Sequence, residues 1–413
     1  MNDLRTKKQD ISLLFETLIC IFYMWYFMPA ANALFSASVF KYLFFGCFFA
    51  GLIGVFLFGK LKINMVTVAV FSYFIIFTVL YILNIGHASR HIRVSFTFWG
   101  TAILYFGLLE DDARLHMGKF LLTIYVVTCI TSAIGVILDN SAARTIAHAG
   151  ADDEIQKSYK LMNIANIYLF QSMIMFVPAL VCLPKTQATK FFAFLLLAAI
   201  FFVLTNASFF ISIIMFLFAI VISLVLKQKN KERMFAIILV TVLLLVLYLT
   251  GYDLLTMLYR SMDNAKLSER VFGLRELVYG GEQTGDAGVR WELYWSSIKT
   301  FLNNPFGVGV NYSYKKFDIG IGHHSQFLDD LARYGVAALA FYIVFFMGYY
   351  KHLKNAWDKT GYGRIATAVC IIYFVFLVLN LGFRSGEESV AMMYIMPLMP
   401  LLVEKRQTRR LTK

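Results

Sequence analysis

A chain of 413 residues with 59% hydrophobic and 15% charged side chains carries more apolar surface than one water-soluble core can hide. That balance excludes an ordinary soluble enzyme and makes lipid the expected solvent. A net charge of +13 would suit nucleic acid if it were gathered on one patch, but the basic residues are scattered through the breaks between apolar runs, so no nucleic-acid partner is expected.

In chain order, apolar runs of membrane-crossing length fall near residues 13–28, 39–58, 65–85, 94–109, 117–138 and 161–183. They continue at 191–205, 209–226, 234–250, 336–350, 365–381 and 390–403. The expected fold is therefore all-α, a polytopic transmembrane bundle of about twelve spans, with one large, partly helical outer loop. Three regions follow: 1–250, with spans one to nine and a minor outer loop at 139–160; 251–333, the large extracytoplasmic loop; and 334–413, with the last three spans and a basic tail.

Alternate breaks hold Arg5, Lys7 and Lys8, then Lys60 and Lys62, Arg114 and Lys119, and Lys185 and Lys190. The same series continues with Lys227 to Arg233, Lys351 to Arg364, and the tail Lys405 to Lys413. Short cytoplasmic loops collect Lys and Arg, so both termini are placed in the cytoplasm. The first run ends in Ala31-Asn32-Ala33, which suits a cleavage site, but its length, its aromatic content and Glu16 favour retention as a span. Cys20, Cys47, Cys129, Cys182 and Cys370 all lie in apolar runs without C-x-x-C spacing and read as small core residues.

Within the large loop, Trp291, Tyr294, Trp295, Ile298 and Phe301 recur at helical spacing, and Asn303-Asn304-Pro305 stops the helix. Arg290 opens this segment, and its planar fork of donors suits a diphosphate; a surface ion pair or a snorkelling side chain explains it equally well. Arg270, Arg275 and Arg384 compete for the same role. A second helix is predicted from His323 or His324. His324 would then sit in its first turn, where unpaired amides favour anions and the dipole disfavours imidazolium, keeping the ring neutral and able to accept a proton. His323 is an equally good base, and a simple capping histidine is the plainer reading of either. Asp329, Asp330 and Arg333, three and four apart, read as an intrahelical ion pair.

The Gly307-Val308-Gly309 turn is a weak phosphate signal, because no buried strand precedes it and no Gly-Lys-Ser/Thr follows. No Asp-x-Asp pair appears, and His87 and His91 have no carboxylate near them, so no metal and no cofactor are expected.

Arg290 ahead of an aromatic helix, then Asn304-Pro305-Phe306-Gly307-Val308-Gly309, His324-Ser325 and Leu331-Ala332-Arg333-Tyr334-Gly335, together resemble the O-antigen ligase and polysaccharide polymerase (Wzy-like) superfamily. The resemblance implies a multi-span glycosyltransferase acting on undecaprenyl-diphosphate-linked glycan at the outer face of the cytoplasmic (plasma) membrane of a bacterium. In that pattern His324 matches the loop histidine that activates the acceptor hydroxyl, and Arg290 matches a diphosphate-binding arginine. Ligases of the superfamily place Gly, Thr or Tyr where this chain has Ala338, and an arginine where it reads Asn206-Ala207-Ser208-Phe209. Both departures point toward a capsular or O-antigen polymerase, with an O-antigen ligase as the alternative. Expected partners are the lipid-linked glycan and membrane lipid, with a chain-length regulator and a flippase beside them. A flippase or transporter is the reading of another class. It would need paired charges within the spans, where Glu16 and Lys41 stand near span ends and can snorkel.

Overall fold

The computed structural model describes residues 2–58, 61–83, 98–147, 152–207, 210–228, 230–262, 265–279, 285–309, 320–382 and 386–411. Every regular element among them is helical, as an all-α polytopic protein requires.

Helix α1 (Asn2–Phe27) turns through α2 (Pro29–Leu34) and packs along α3 (Ser38–Phe58). Two small residues of α3 allow the close approach: a Cβ on Gly51 would lie 2.6 Å from Ile19, and one on Gly54 would lie 2.2 Å from Phe15. Trp25 stacks on Phe44 with ring centroids 4.9 Å apart. Next come α4 (Met65–Leu83), α5 (Phe98–Leu108, with a π-helical turn over Ile103–Leu108) and α6 (Asp111–Leu138).

The run predicted as one span over 161–183 is broken. Helix α8 (Asp153–Leu161) gives way to a turn at Asn163, whose backbone is left-handed (φ 58°) and whose side chain accepts from the Ala30 amide and donates to Thr131. Asn166 then caps α9 (Ile167–Met173), and a 3₁₀ turn (Ile174–Phe176) leads into α10 (Val177–Cys182). A short α7 (Ala142–Ala147) precedes α8.

Helices α11 (Gln187–Asn206), α12 (Phe210–Lys227) and α13 (Asn230–Ser261) follow. The thirteenth does not stop near Thr250 but continues to Ser261, where α14 (Ala265–Tyr279) folds back along it; the Tyr279 hydroxyl donates to the Tyr248 carbonyl at 2.7 Å. Beyond lie α15 (Gly285–Asn303), α16 (Gln326–Tyr334), α17 (Val336–Asp358), α18 (Arg364–Leu379), α19 (Gly386–Val390) and α20 (Met396–Leu411). A π-helical turn, Ala391–Ile395, joins the last two.

Large apolar side chains point outward along α3, α11 and α13, including Phe191, Phe192, Phe194, Ile237, Ile238 and Leu239. That belt marks the chain as a membrane protein. The basic breaks meet one another: Arg364 donates to the carbonyls of Leu226 and Lys227, Lys227 to that of Val181, Arg114 to that of Tyr105, and His352 lies edge-on to Tyr105. Glu16 is buried, not snorkelled as its place near a span end suggested, whereas Lys41 is exposed. The five cysteines are free thiols, Cys370 fully buried.

Candidate functional site

The site forms where α15, the 320–325 segment and the end of α18 meet. Serines and a threonine on one face of α15 clamp the segment: Ser296 and Thr300 both donate to the Gly320 carbonyl at 2.8 Å, and the Gly322 amide donates to Ser297 at 2.9 Å. Gly322 is required by proximity, since a Cβ there would sit 2.2 Å from the Leu293 carbonyl oxygen. The end of α18 receives both partners. The Tyr294 hydroxyl donates to the Leu379 carbonyl at 2.7 Å, and the Gln326 amide donates to the Asn380 carbonyl at 2.9 Å.

Helix α16 begins at Gln326, not at either histidine, because Ser325 captures the Leu328 amide (3.1 Å) and so acts as the N-cap. His324 and His323 therefore stand just ahead of the helix rather than in its first turn. Their ring nitrogens are set oppositely. His324 Nδ1 lies 3.1 Å from the Gly322 carbonyl, which can only accept, so Nδ1 carries the proton and Nε2 presents a lone pair when the ring is neutral. His323 Nδ1 lies 3.0 Å from Arg333 Nη2, which can only donate, so there Nδ1 holds the lone pair and Nε2 the proton. Of two histidines that the sequence left equivalent, neutral His324 has Nε2 as its acceptor nitrogen and neutral His323 has Nε2 as its donor. His323 also has a left-handed backbone (φ 60°), an uncommon state for a side chain of this size.

The expected ion pair on α16 exists, but in the interior. Arg333 and Asp330 are each about 1% exposed and 3.4 Å apart. Asp330 also accepts from Gln326 (2.8 Å), from Tyr342 of α17 (2.8 Å) and from Tyr73 of α4 (3.3 Å). Asp329 instead turns toward the loop, accepting from Ser297 at 2.7 Å and from the His323 amide at 3.2 Å. Burial works against the Arg333 cation, but Asp329 and Asp330 outweigh it and hold its pKa above the ordinary arginine value. These carboxylates fasten the loop to four helices.

The glycine motifs act in the same assembly. Val308 and Gly309 amides donate to the carbonyls of Ala332 and Arg333, closing the end of α16, while the Val336 amide donates to the Pro305 carbonyl. Gly307 (φ 87°) and Gly335 (φ 60°) face each other's chain so closely that a Cβ would lie 2.3 Å from the Arg333 oxygen in one case and 2.0 Å from the Pro305 oxygen in the other. Asn304 to Gly309 is thus a helix-closing strap, not a phosphate cradle.

Arg290 lies within α15, one turn before Leu293 and Tyr294, the residues that touch Gly322 and Leu379. Its Nη1 is buried with no hydrogen-bond partner among the described residues. Burial raises the Tyr294 pKa, and the Arg290 cation beside it partly offsets that rise. Arg275 is placed elsewhere, bonded to Glu276 (2.9 Å) and Thr256 (3.0 Å) and lying over the rings of Phe272, Tyr252 and Tyr259. There it staples α14 to α13. Arg270 is half-buried on α14, off the Arg275 face, and Arg384 lies outside the described residues. Tyr294 was read only as part of the helical repeat, and Ser297 and the carbonyls ending α18 went unnoticed in the sequence; the Ser296-Ser297 pair inside an aromatic helix was the available signal. Among the described residues, no group of three or more His, Cys, Asp or Glu side chains has the arrangement to hold a metal ion.

Fold and site together define a polytopic helical membrane protein with a histidine-bearing polar site built on one helix-rich segment. Residues 191–343 match the family described as O-antigen ligase, a stretch running from α11 into α17 that contains Arg290, His323 and His324. The match supports the chain's place in the O-antigen ligase and polymerase superfamily, whose members are glycosyltransferase-like enzymes. No curated protein matched the chain.

Proposed function

We propose that this protein transfers glycan from a polyprenyl diphosphate carrier to an acceptor sugar hydroxyl at the outer face of a bacterial cytoplasmic membrane, lengthening a polysaccharide. The observation that carries the reading is the pairing on one scaffold of His324, with its Nε2 set as acceptor, and Arg290, with a buried donor that an anion would satisfy. His324 takes the proton from the acceptor hydroxyl as that oxygen attacks the anomeric carbon. The bond from that carbon to the diphosphate breaks, and Arg290 stabilises the charge gathering on the departing oxygens. The Gly322 carbonyl holds the imidazole in its reactive tautomer throughout.

Polymerase is favoured over ligase by Ala338 and by Asn206-Ala207-Ser208-Phe209 at the two positions where ligases carry other residues. The ligase reading, in which the acceptor is lipid A core, draws on the description of the matched family. His324→Ala and Arg290→Ala should each lower transfer by about 10²- to 10⁴-fold, the range for loss of a general base or of a charge-stabilising donor. In cells, single lipid-linked repeats should accumulate while the variants insert normally. Chains of full length in either variant would refute the assignment, and product found on lipid A core alone would move it to the ligase.

A further inference from the structure

A cavity of about 290 Å³, lined by none of the histidine-loop residues, lies where α1 and α2 meet α8, α9 and α19. Its wall includes Tyr26, Asn32, Lys160, Asn166, Tyr168 and Glu387. The volume is at the lower end of small-ligand sites, roughly 300–1,000 Å³. Its chemistry is mixed: aromatic rings stand among an ammonium, a carboxylate and two amides. A lipid tail would want none of the polar groups, and a bare anion would be repelled by Glu387 and gain nothing from the rings. A sugar uses both kinds, because a pyranose has an apolar C–H face that lies on an aromatic ring and a rim of hydroxyls that donate and accept.

A second observation points the same way. One turn beyond Tyr168 on α9, Gln171 is 1% exposed, and neither its amide nitrogen nor its oxygen has a partner among the described residues. On α19, which packs against α9, Ser389 is fully buried with its hydroxyl likewise unpartnered. Buried polar groups of this kind are rare without a reason, since an unsatisfied donor or acceptor has given up its bonds to water for nothing in return. Gln171 shares α9 with Tyr168, and Ser389 shares α19 with Glu387, the two elements that wall the cavity.

The cavity is also within a glycan's reach of the reacting atoms. Asn380 touches the start of α16 beside His324, and chain length alone keeps Glu387 within about 25 Å of Asn380.

We propose that this cavity is a saccharide subsite that grips the glycan of the lipid-linked substrate away from the reacting bond. The aromatic side chains stack on a sugar face, Lys160 and Glu387 bond its hydroxyls, and the site thereby selects the repeat unit. The inference rests on the glycan-transfer reading and is tested apart from it. The probe is the host's own repeat-unit oligosaccharide, cleaved from its lipid carrier by mild acid and titrated by calorimetry into the purified full chain in nanodiscs.

Wild type and His324→Ala should bind it alike. Tyr168→Ala and the double variant Lys160→Gln with Glu387→Gln should weaken binding at least about tenfold, and Gln171→Leu should weaken it as well. Tyr168→Phe, which keeps the ring, should retain most of the affinity. In turnover assays the weakened variants should raise KM with little change in kcat. The double variant, made at partly exposed positions, guards against a folding defect in Tyr168→Ala. Wild-type affinity in both, or no saturable binding by wild type, would overturn the subsite. Full-length glycan from His324→Ala would overturn only the catalytic reading.

Discussion

Replacing Arg333 with Met tests whether the loop is anchored by a buried charge network. At 3.4 Å and an effective dielectric constant near 20, the Arg333–Asp330 attraction is about 5 kcal/mol. Breaking one side of a buried pair typically costs about 3–5 kcal/mol, because the survivor is left charged in the interior. Asp330 would keep its bonds from Tyr73, Tyr342 and Gln326 but lose its cation, and His323 would lose the donor at Nδ1. The expected result is a loss of about 3–5 kcal/mol, between a hundredfold and several thousandfold in the folding equilibrium. Adding Asp330→Asn should recover much of it, since the amide oxygen still accepts from the tyrosines while the stranded charge is gone. The assay is denaturant unfolding in detergent followed by tryptophan fluorescence, run as a double-mutant cycle. A loss below about 1 kcal/mol for Arg333→Met would match an exposed pair and refute the anchoring argument.

Gly307→Ala meets both a left-handed backbone and the Arg333 oxygen, and should lower the unfolding free energy by about 1–3 kcal/mol in the same denaturant assay. Arg275→Gln should loosen α14 from α13, seen as faster proteolysis of that segment, while chain length of the product is unchanged; loss of polymer with an intact fold would instead make Arg275 part of the chemistry. The Tyr159 hydroxyl bonded to Asp139 holds that carboxyl below its ordinary value, so the contact contributes stability above the unfolded aspartate pKa of about 3.8 and loses it as pH falls through the lowered folded value. Melting curves taken from about pH 5 to pH 3 should show this loss in wild type and a flatter profile in Asp139→Asn.

What the sequence by itself determined is the class of object. Runs of apolar residues at membrane length and a one-sided series of Lys and Arg breaks are local properties, and no tertiary contact is needed to read them. Arg290, His324 and the order of the glycine motifs were visible for the same reason. Only the tertiary structure decided their roles. His323 and His324 are adjacent and chemically identical, and they part company because one meets a carbonyl and the other a guanidinium. The Asp330–Arg333 ion pair was legible from its spacing, but its burial was not, because helical spacing says which residues are neighbours and not which face is buried. The cavity wall draws on residues from Tyr26 to Glu387, and no reading along the chain could bring those together. Side-chain function depends on what stands across a gap of about 3 Å, and the partner there is supplied by folding, not by sequence position.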